Sequence, residues 1–358
     1  MENELADIIP FLPEDWRDKA KEYKALQRPR NVRTADELLF VNLLYTSIAG
    51  SFQATAEMMQ LGAGIHLDKN AVYKRVLASG DWLRYLARGV CEKSETLLPK
   101  PAFLEGYNVV LVDASELSAA GSKGGDYFLH YAFDLFDFAC RDVQITPISQ
   151  GEKLSLHDLR KGDIVEGDRV YGTISGMEYA RSQGADFILR LRRNAFKLYD
   201  ESGAEVDILS HAKGMKAQET RELSCYYRVG QESKPVRIIV MRNDEAAISR
   251  ARNRQHRMES KKQLKSTPPQ TALMHEYIVL ATSLDFTGEQ ILELYRARWQ
   301  IEMVFLRLKE LFGIGEIPCK KPDSVKAWFY GKLLLASVCA AQVRRYSFSP
   351  TAAFLAFS

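Results

Sequence analysis

The hydrophobic period of this chain changes near residue 105, and that change limits the fold more than any single motif does. Upstream, apolar residues recur at helical spacing, as in Ala35–Ile48 behind the N-cap candidate Thr34. Downstream come short apolar runs of the kind that form buried strands, and two of them close on a carboxylate: Asn108–Asp113 (NVVLVD) and Ile164–Asp168 (IVEGD). Asp126–Phe138 and Arg141–Pro147 read as two further strands joined by a turn, Thr173–Gln183 as a helix and Asp186–Leu191 as a strand. Strands followed by alternating helix and strand predict a mixed α/β sheet. Beyond this point the rhythm breaks, with β-like stretches at Glu222–Val229 and Val236–Arg242 in a segment too long for a plain loop. It resumes with a strand at Glu276–Thr282, a helix over Gly288–Leu311 and a last helix over Asp323–Arg345. We therefore expect a helical domain over residues 1–100, an α/β core from 105–192 and 276–345, and a β-rich insertion over 193–275.

A chain of 358 residues that is 46% hydrophobic and 27% charged excludes a disordered polymer, a collagen-like repeat and a coiled-coil rod. Its five Cys residues form no CxxC pair, which argues against a zinc finger or a disulfide framework. The acidic N-terminus lacks the basic, apolar pattern of a signal peptide, and no run of eighteen apolar residues could span a bilayer. No membrane partner and a cytoplasmic location, in a bacterial-type cell at the nucleoid, are expected.

The net charge of +3 is unevenly spread. Residues 1–100 balance 14 basic against 14 acidic side chains, whereas residues 242–265 carry eight basic against three acidic ones. That block includes Arg250, Arg252, Arg254 and Arg257. A local excess of this kind suits phosphate binding, because each neutralised phosphate releases condensed counterions; the same block also reads as an ordinary solvated segment. A second candidate for DNA contact lies near residues 53–77. There a short helix (Gln53–Leu61), a Gly-containing turn and a second helix (Lys69–Leu77, behind Asp68) suit a helix-turn-helix, with Lys69, Lys74 and Arg75 on the second helix. Many such α-hairpins are only structural.

The most informative stretch is the helix over 288–311. At 100° per residue, Tyr295, Arg298, Glu302 and Lys309 fall within about 60° of arc, as a polar stripe fenced by apolar residues. Charges beside a core need a partner or a ligand; equally, Arg298 and Glu302 have the spacing of a plain i,i+4 ion pair. Asp113 and Asp168, at strand ends, are well placed to meet a ligand, although a lone Asp there is more often a turn or helix cap. Two Asp and one Glu are hard oxygen donors of the type that Mg²⁺ or Mn²⁺ prefers, and a pair of such ions suits phosphodiester chemistry.

The spacing Tyr295-x2-Arg298-x3-Glu302-x6-Lys309 resembles, without a departure, the Y-R-E-K motif of DDE transposases of the insertion-sequence-four family. The order of parts is similar as well: Asp113 in VLVDAS, Asp168 in GDRVYG, a long β-rich insertion, then the motif helix. The resemblance covers roughly residues 35–345. It implies a ribonuclease-H-like catalytic domain in which Asp113, Asp168 and Glu302 are catalytic and hold two Mg²⁺ or Mn²⁺ ions. It implies that Tyr295, Arg298 and Lys309 contact phosphates of double-stranded DNA at the element's terminal repeats, and that the enzyme joins the cut ends to target DNA as a homodimer. Arg169, directly after Asp168, joins these as a phosphate-contact candidate. Relatives hold a flipped base with a Trp of the insertion; this chain has no Trp between Trp82 and Trp299, which leaves Tyr226, Tyr227 and Phe196 as substitutes. His130, among alternating aromatics, reads as a core group, and Asp134 and Asp137 as decoys rather than ligands. The rival readings are a nuclease of the same fold without strand transfer and a non-catalytic, transposase-derived DNA-binding protein.

Overall fold

The computed structural model describes residues 5–48, 50–92, 98–192, 195–262 and 273–346. The chain groups into two compact units, residues 1–99, 114–151 and 301–358 in one, and 100–113 and 152–300 in the other. This grouping does not follow the expected boundaries: the N-terminal helices share a unit with a β-hairpin and the last helix, while the expected insertion shares one with the central strands.

The first unit is mostly helical. Its helices are α1 (Trp16–Glu22), α2 (Ala35–Ser47), α3 (Phe52–Ala63) and α4 (Lys69–Glu92). Thr34 caps α2 through a capping box, its hydroxyl accepting from the Glu37 N–H while Glu37 reaches back to the Thr34 N–H. Helix α3 ends at Gly64, whose positive φ of 67° provides the left-handed C-cap. Asp68 then accepts from the N–H groups of Asn70 and Ala71 at the start of α4. That helix does not stop at Leu77 but runs on through Gly80, because its apolar face packs along the C-terminal helix, where a Cβ at Gly80 would press on the Lys326 stem at 3.1 Å. The same unit holds the antiparallel hairpin of β2 (Tyr127–Asp134) and β3 (Ala139–Pro147).

Strand β1 (Asn108–Ala119) belongs to both units, which meet in sequence at Asp113 and Ala114. In the second unit its first residues pair in parallel with β4 (Asp163–Gly167), and β4 pairs in parallel with β5 (Asp186–Arg190) across the crossover helix α5 (Ile174–Ser182). Thr173 caps that helix, accepting from the Gly176 N–H. The strands of the expected insertion continue this sheet. Strand β8 (Tyr277–Thr282) pairs antiparallel with β5, β7 (Glu232–Arg242) with β8, and β6 (Thr220–Val229) with β7. All five residues of β4 are buried, as a central parallel strand requires. A short helix, α6 (Ile208–Ala212), precedes β6, and the basic block forms helix α7 (Glu245–Lys262) between β7 and β8.

The stretch expected as one helix over Gly288–Leu311 is two, α8 (Gly288–Arg296) and α9 (Trp299–Glu310). Between them the backbone tightens into i→i−3 bonds: Ala297 N–H to Leu294, Arg298 N–H to Tyr295 and Gln300 N–H to Ala297. No Gly or Pro marks this break. It also divides the four polar residues, leaving Tyr295 on α8, Arg298 in the turn, and Glu302 and Lys309 on α9, so they do not lie on one unbroken helix. The last elements are β9 (Glu316–Ile317), which pairs with the far end of β1, and α10 (Pro322–Tyr346), with Pro at its first position. No helix among the described residues is long and apolar enough to cross a membrane.

Candidate active site

The strand register brings two carboxylates together. Leu111 of β1 lies opposite Glu166 of β4, the last pair of that parallel ladder. Two residues on from each stand Asp113, still within β1, and Asp168, in the turn after β4. Asp113 is not at a strand end, as its run suggested, because β1 continues to Ala119; it stands just past the point where pairing with β4 stops. Asp168 follows β4 directly, and its Oδ1 accepts from the Val170 N–H at 2.8 Å, which fixes the carboxylate over the turn.

Cations close this group within the second unit. Arg298, in the turn after α8, puts Nη1 3.5 Å from Asp113 Oδ2, and both side chains are largely withdrawn from solvent. Arg169 is half-buried, and burial, with Arg190 adding repulsion, pushes its guanidinium down to about 10. Arg192 donates Nε to the Arg169 carbonyl at 3.1 Å and so steadies that turn. Tyr295 is only 7% exposed, and burial pushes its hydroxyl above the ordinary value; Arg190 and Arg298 oppose the shift, while Asp168 and Glu166 add to it.

Several buried polar atoms here have no hydrogen-bond partner: both Glu166 oxygens, the hydroxyls of Tyr295 and Tyr171, and Nε of Arg169 and of Arg190. Buried polar groups in native proteins are nearly always satisfied, so such a concentration marks a site built for a polar ligand. Glu166 is the extreme case. It is 0% exposed, and burial pushes its carboxyl up to about 8 despite the attraction of Arg298. Sequence reasoning passed over Glu166, Tyr171 and Arg190. The signal for Glu166 was an acid inside the apolar run IVEGD, where a strand buried on both faces leaves a charge no solvent.

The remaining candidates lie elsewhere. Glu302 and Lys309 are on α9 in the first unit, where Glu302 is exposed and Lys309 donates Nζ to the Glu116 carbonyl at 3.2 Å. Lys69 and Lys74 are exposed on α4, whereas Arg75 is half-buried, its pKa lowered by burial with Glu37 opposing. On α7, Arg250, Arg254 and Arg257 share a face within about 60° at helical spacing and are exposed. Arg252 points away from that face and pairs with Glu276. Lys265 falls outside the described residues. Tyr227 is fully buried and donates to Glu178 Oε1 at 2.6 Å, so it is a core residue and unsuited to gripping a base; Phe196 packs on its ring, and Tyr226 bridges to Tyr199. His130 is buried against Thr146 Oγ1 at 2.8 Å, and Asp134 pairs with Arg141 at 3.5 Å, both in structural roles.

Among the described residues no three His, Cys, Asp or Glu side chains form a metal-holding group. The chemistry of the second unit's donors nonetheless fits a hard divalent ion. Its two neighbouring carboxylates offer oxygen alone, and a guanidinium already stands against one of them as a positive charge.

Two carboxylates just past the end of a parallel ladder, with a buried tyrosine and arginines in the same unit, make a charged, partly buried site on an α/β sheet. The chain belongs to the DDE transposases: the family model described as "Transposase DDE domain" matches residues 104–338. It is similar, at 27% identity over 341 residues, to the transposase for insertion sequence element IS421 of Escherichia coli, with 90% of this chain and 89% of that protein covered. A second relative is the transposase for insertion sequence element IS231C of Bacillus thuringiensis subsp. berliner, 26% identical over 229 residues, with 58% and 48% covered. The family assigned from the Y-R-E-K spacing and the mixed α/β fold class both stand, and the protein is a DNA transposase.

Proposed function

We propose that the protein cuts DNA at the ends of an insertion element and joins those ends to a target, with Asp113, Asp168 and Glu302 as the catalytic carboxylates. The observation that supports this reading is the β1–β4 register, which ends two residues before Asp113 and Asp168, with Arg298 against Asp113. These three carboxylates would hold Mg²⁺ or Mn²⁺, which when bound supplies Lewis acidity to the attacking oxygen and charge to offset the leaving one. The protein's own groups position the substrate. Arg298 and Arg169 present guanidinium N–H groups that match phosphate oxygens, and the Tyr295 hydroxyl is a donor without a protein partner. Lys309 adds a point charge, and the exposed face of α7 (Arg250, Arg254, Arg257) tracks the DNA backbone away from the reacting bond. Lys69 and Lys74, at the start of α4, extend the phosphate contacts. A homodimer assembled on two element ends fits the need to cut and join both.

A strand-transfer assay with end DNA and a supercoiled target tests the proposal. Joined product in Mg²⁺ is expected. Cleavage without joining would identify a nuclease, and binding without either a DNA-binding protein derived from a transposase.

A further inference from the structure

The residues just before the Thr34 cap form a basic arm that none of the chemistry above uses. Residues 28–33 read Arg28-Pro29-Arg30-Asn31-Val32-Arg33, three arginines with no lysine and no acid. The arm is neither helix nor strand, yet it is pinned to the first unit. The Val32 side chain is fully buried, and the Asn31 side chain donates to the His66 carbonyl at 2.8 Å. His66 lies in the turn between α3 and α4, three residues before Lys69, so the arm sits beside the turn that leads into the exposed Lys69, Asn70 and Lys74. Arg28, Arg30 and Arg33 are exposed as well, and among the described residues none of them makes an ion pair. The acids nearest to them are engaged elsewhere. Asp36 takes Arg17 at 2.7 Å, Glu37 accepts from the backbone N–H groups of Arg33 and Thr34, and Asp68 accepts from those of Asn70 and Ala71. Like charges held together in this way repel one another unless a polyanion meets them.

We propose that residues 28–33 lie in the minor groove of A·T-rich DNA, next to the major-groove segment that α4 meets. The proposal rests on the reading of α4 as a DNA-contacting helix. Three features favour the groove over the phosphate backbone alone. An irregular single strand of chain is slim enough for a groove about 6 Å wide, which is too narrow for an α-helix. All three cations are Arg, whose planar guanidinium sheds water more readily than an ammonium, and narrow A·T-rich minor grooves carry an enhanced negative potential that attracts it. The placement also fits, because an arm that precedes a major-groove helix reaches the neighbouring minor groove. Arg33 Nε donates to the Arg30 carbonyl at 3.1 Å, which stiffens the arm before DNA arrives and reduces the entropy lost on binding. The arm thereby adds a preference for A·T pairs beside the segment that α4 meets.

The test is fluorescence anisotropy of the full chain on a duplex of the element's terminal repeat, made once with adenine and once with 2,6-diaminopurine. Diaminopurine puts an amino group into the minor groove and leaves the major-groove face of an A·T pair unchanged, so it obstructs a minor-groove reader alone. Wild-type protein should bind the modified duplex about tenfold more weakly. The triple variant Arg28→Ala, Arg30→Ala and Arg33→Ala should bind the unmodified duplex weakly and lose nothing further on modification. Its three side chains are exposed, so its thermal midpoint should match wild type. The charge-keeping variant Arg28→Lys, Arg30→Lys and Arg33→Lys should also lose its sensitivity to diaminopurine while keeping more of the salt dependence than the alanine variant. An equal diaminopurine penalty in all three proteins, or none, would confine the arginines to phosphate contacts and overturn the proposal. Wild-type affinity in the alanine variant would overturn it too. Lys69→Ala combined with Lys74→Ala separates this failure from that of the reading beneath it. Weakened binding there, with an inert arm, means that only the arm falls; unchanged binding removes α4 from the DNA and the arm's placement with it.

Discussion

Asp113 and Asp168 stand two residues beyond Leu111 and Glu166, the last pair of the β1–β4 ladder, the first still within β1 and the second in the turn that follows β4. Neither carboxylate takes part in the ladder's backbone pairing, so replacing either one should leave the scaffold intact.

Asp113→Asn and Asp168→Asn should each cut cleavage about a thousandfold, the equivalent of several kcal/mol of lost transition-state stabilisation. End binding and the thermal midpoint should stay near wild type. EDTA should abolish activity, and Mg²⁺ or Mn²⁺ should restore it. Strong cleavage in EDTA would remove the metal assignment.

Glu302→Gln and Arg298→Ala should part company. The first keeps side-chain volume but removes an anionic ligand, so cleavage is lost while end binding holds or tightens slightly. The second removes a phosphate donor, and gel shifts should show end binding weakened about tenfold, the scale of one charge-assisted hydrogen bond. A folded Glu302→Gln protein that cleaves normally would defeat the assignment.

The exposed face of α7 makes a prediction about salt. Replacing Arg250, Arg254 and Arg257 together by Ala should lower the slope of log affinity against log salt by about 2–3, close to one unit per lost phosphate contact. Arg252→Ala should move it less, because its guanidinium is engaged by Glu276. An unchanged slope in the triple variant would return this helix to a merely solvated role.

His130 gives the protein an acid weakness. Burial pushes its imidazole down to about 4, below the ordinary 6.5 of an unfolded chain. Between those values the unfolded state binds the extra proton, so stability is fully present above pH 6.5 and falls as pH drops towards 4, by about 3 kcal/mol in total. At pH 7, where His130 is neutral in both states, His130→Phe should lose roughly 1 kcal/mol from the missing Thr146 contact. Its denaturation midpoints should nonetheless decline less steeply than wild type between pH 6.5 and 4; identical slopes would mean that His130 does not titrate there.

Much of this was legible from local chemistry. The caps at Thr34 and Asp68 fixed two helix starts because a side-chain oxygen preceding an apolar period has few other uses. The strands β2, β3, β4 and β5 followed from apolar runs alone, whereas the parallel pairing of β4 with β5 did not. What stayed hidden depends on partners far along the chain. Residues 114–119 (ASELSA) look too polar for a strand, yet β1 runs through them beside β2, and its last two residues, Ser118 and Ala119, pair with Glu316 and Ile317. Helix α4 outruns its expected end because α10, some 250 residues later, lies along it. Glu166 could be read as an acid in an apolar run, but its lack of partners is a three-dimensional fact.

The break at Ala297–Arg298 divides the fifteen-residue signature between two helices. Tyr295 and Arg298 are anchored on one side of it, and Glu302 and Lys309 ride on a helix that begins anew at Trp299. Inserting one residue just after Trp299 would leave the tyrosine and arginine where they are but turn Glu302 by about 100° around its helix axis. The fixed count of three residues between Arg298 and Glu302 is thus a phase setting, like the angle at which one gear is keyed to its shaft. A length change there should silence cleavage more completely than most substitutions in either half.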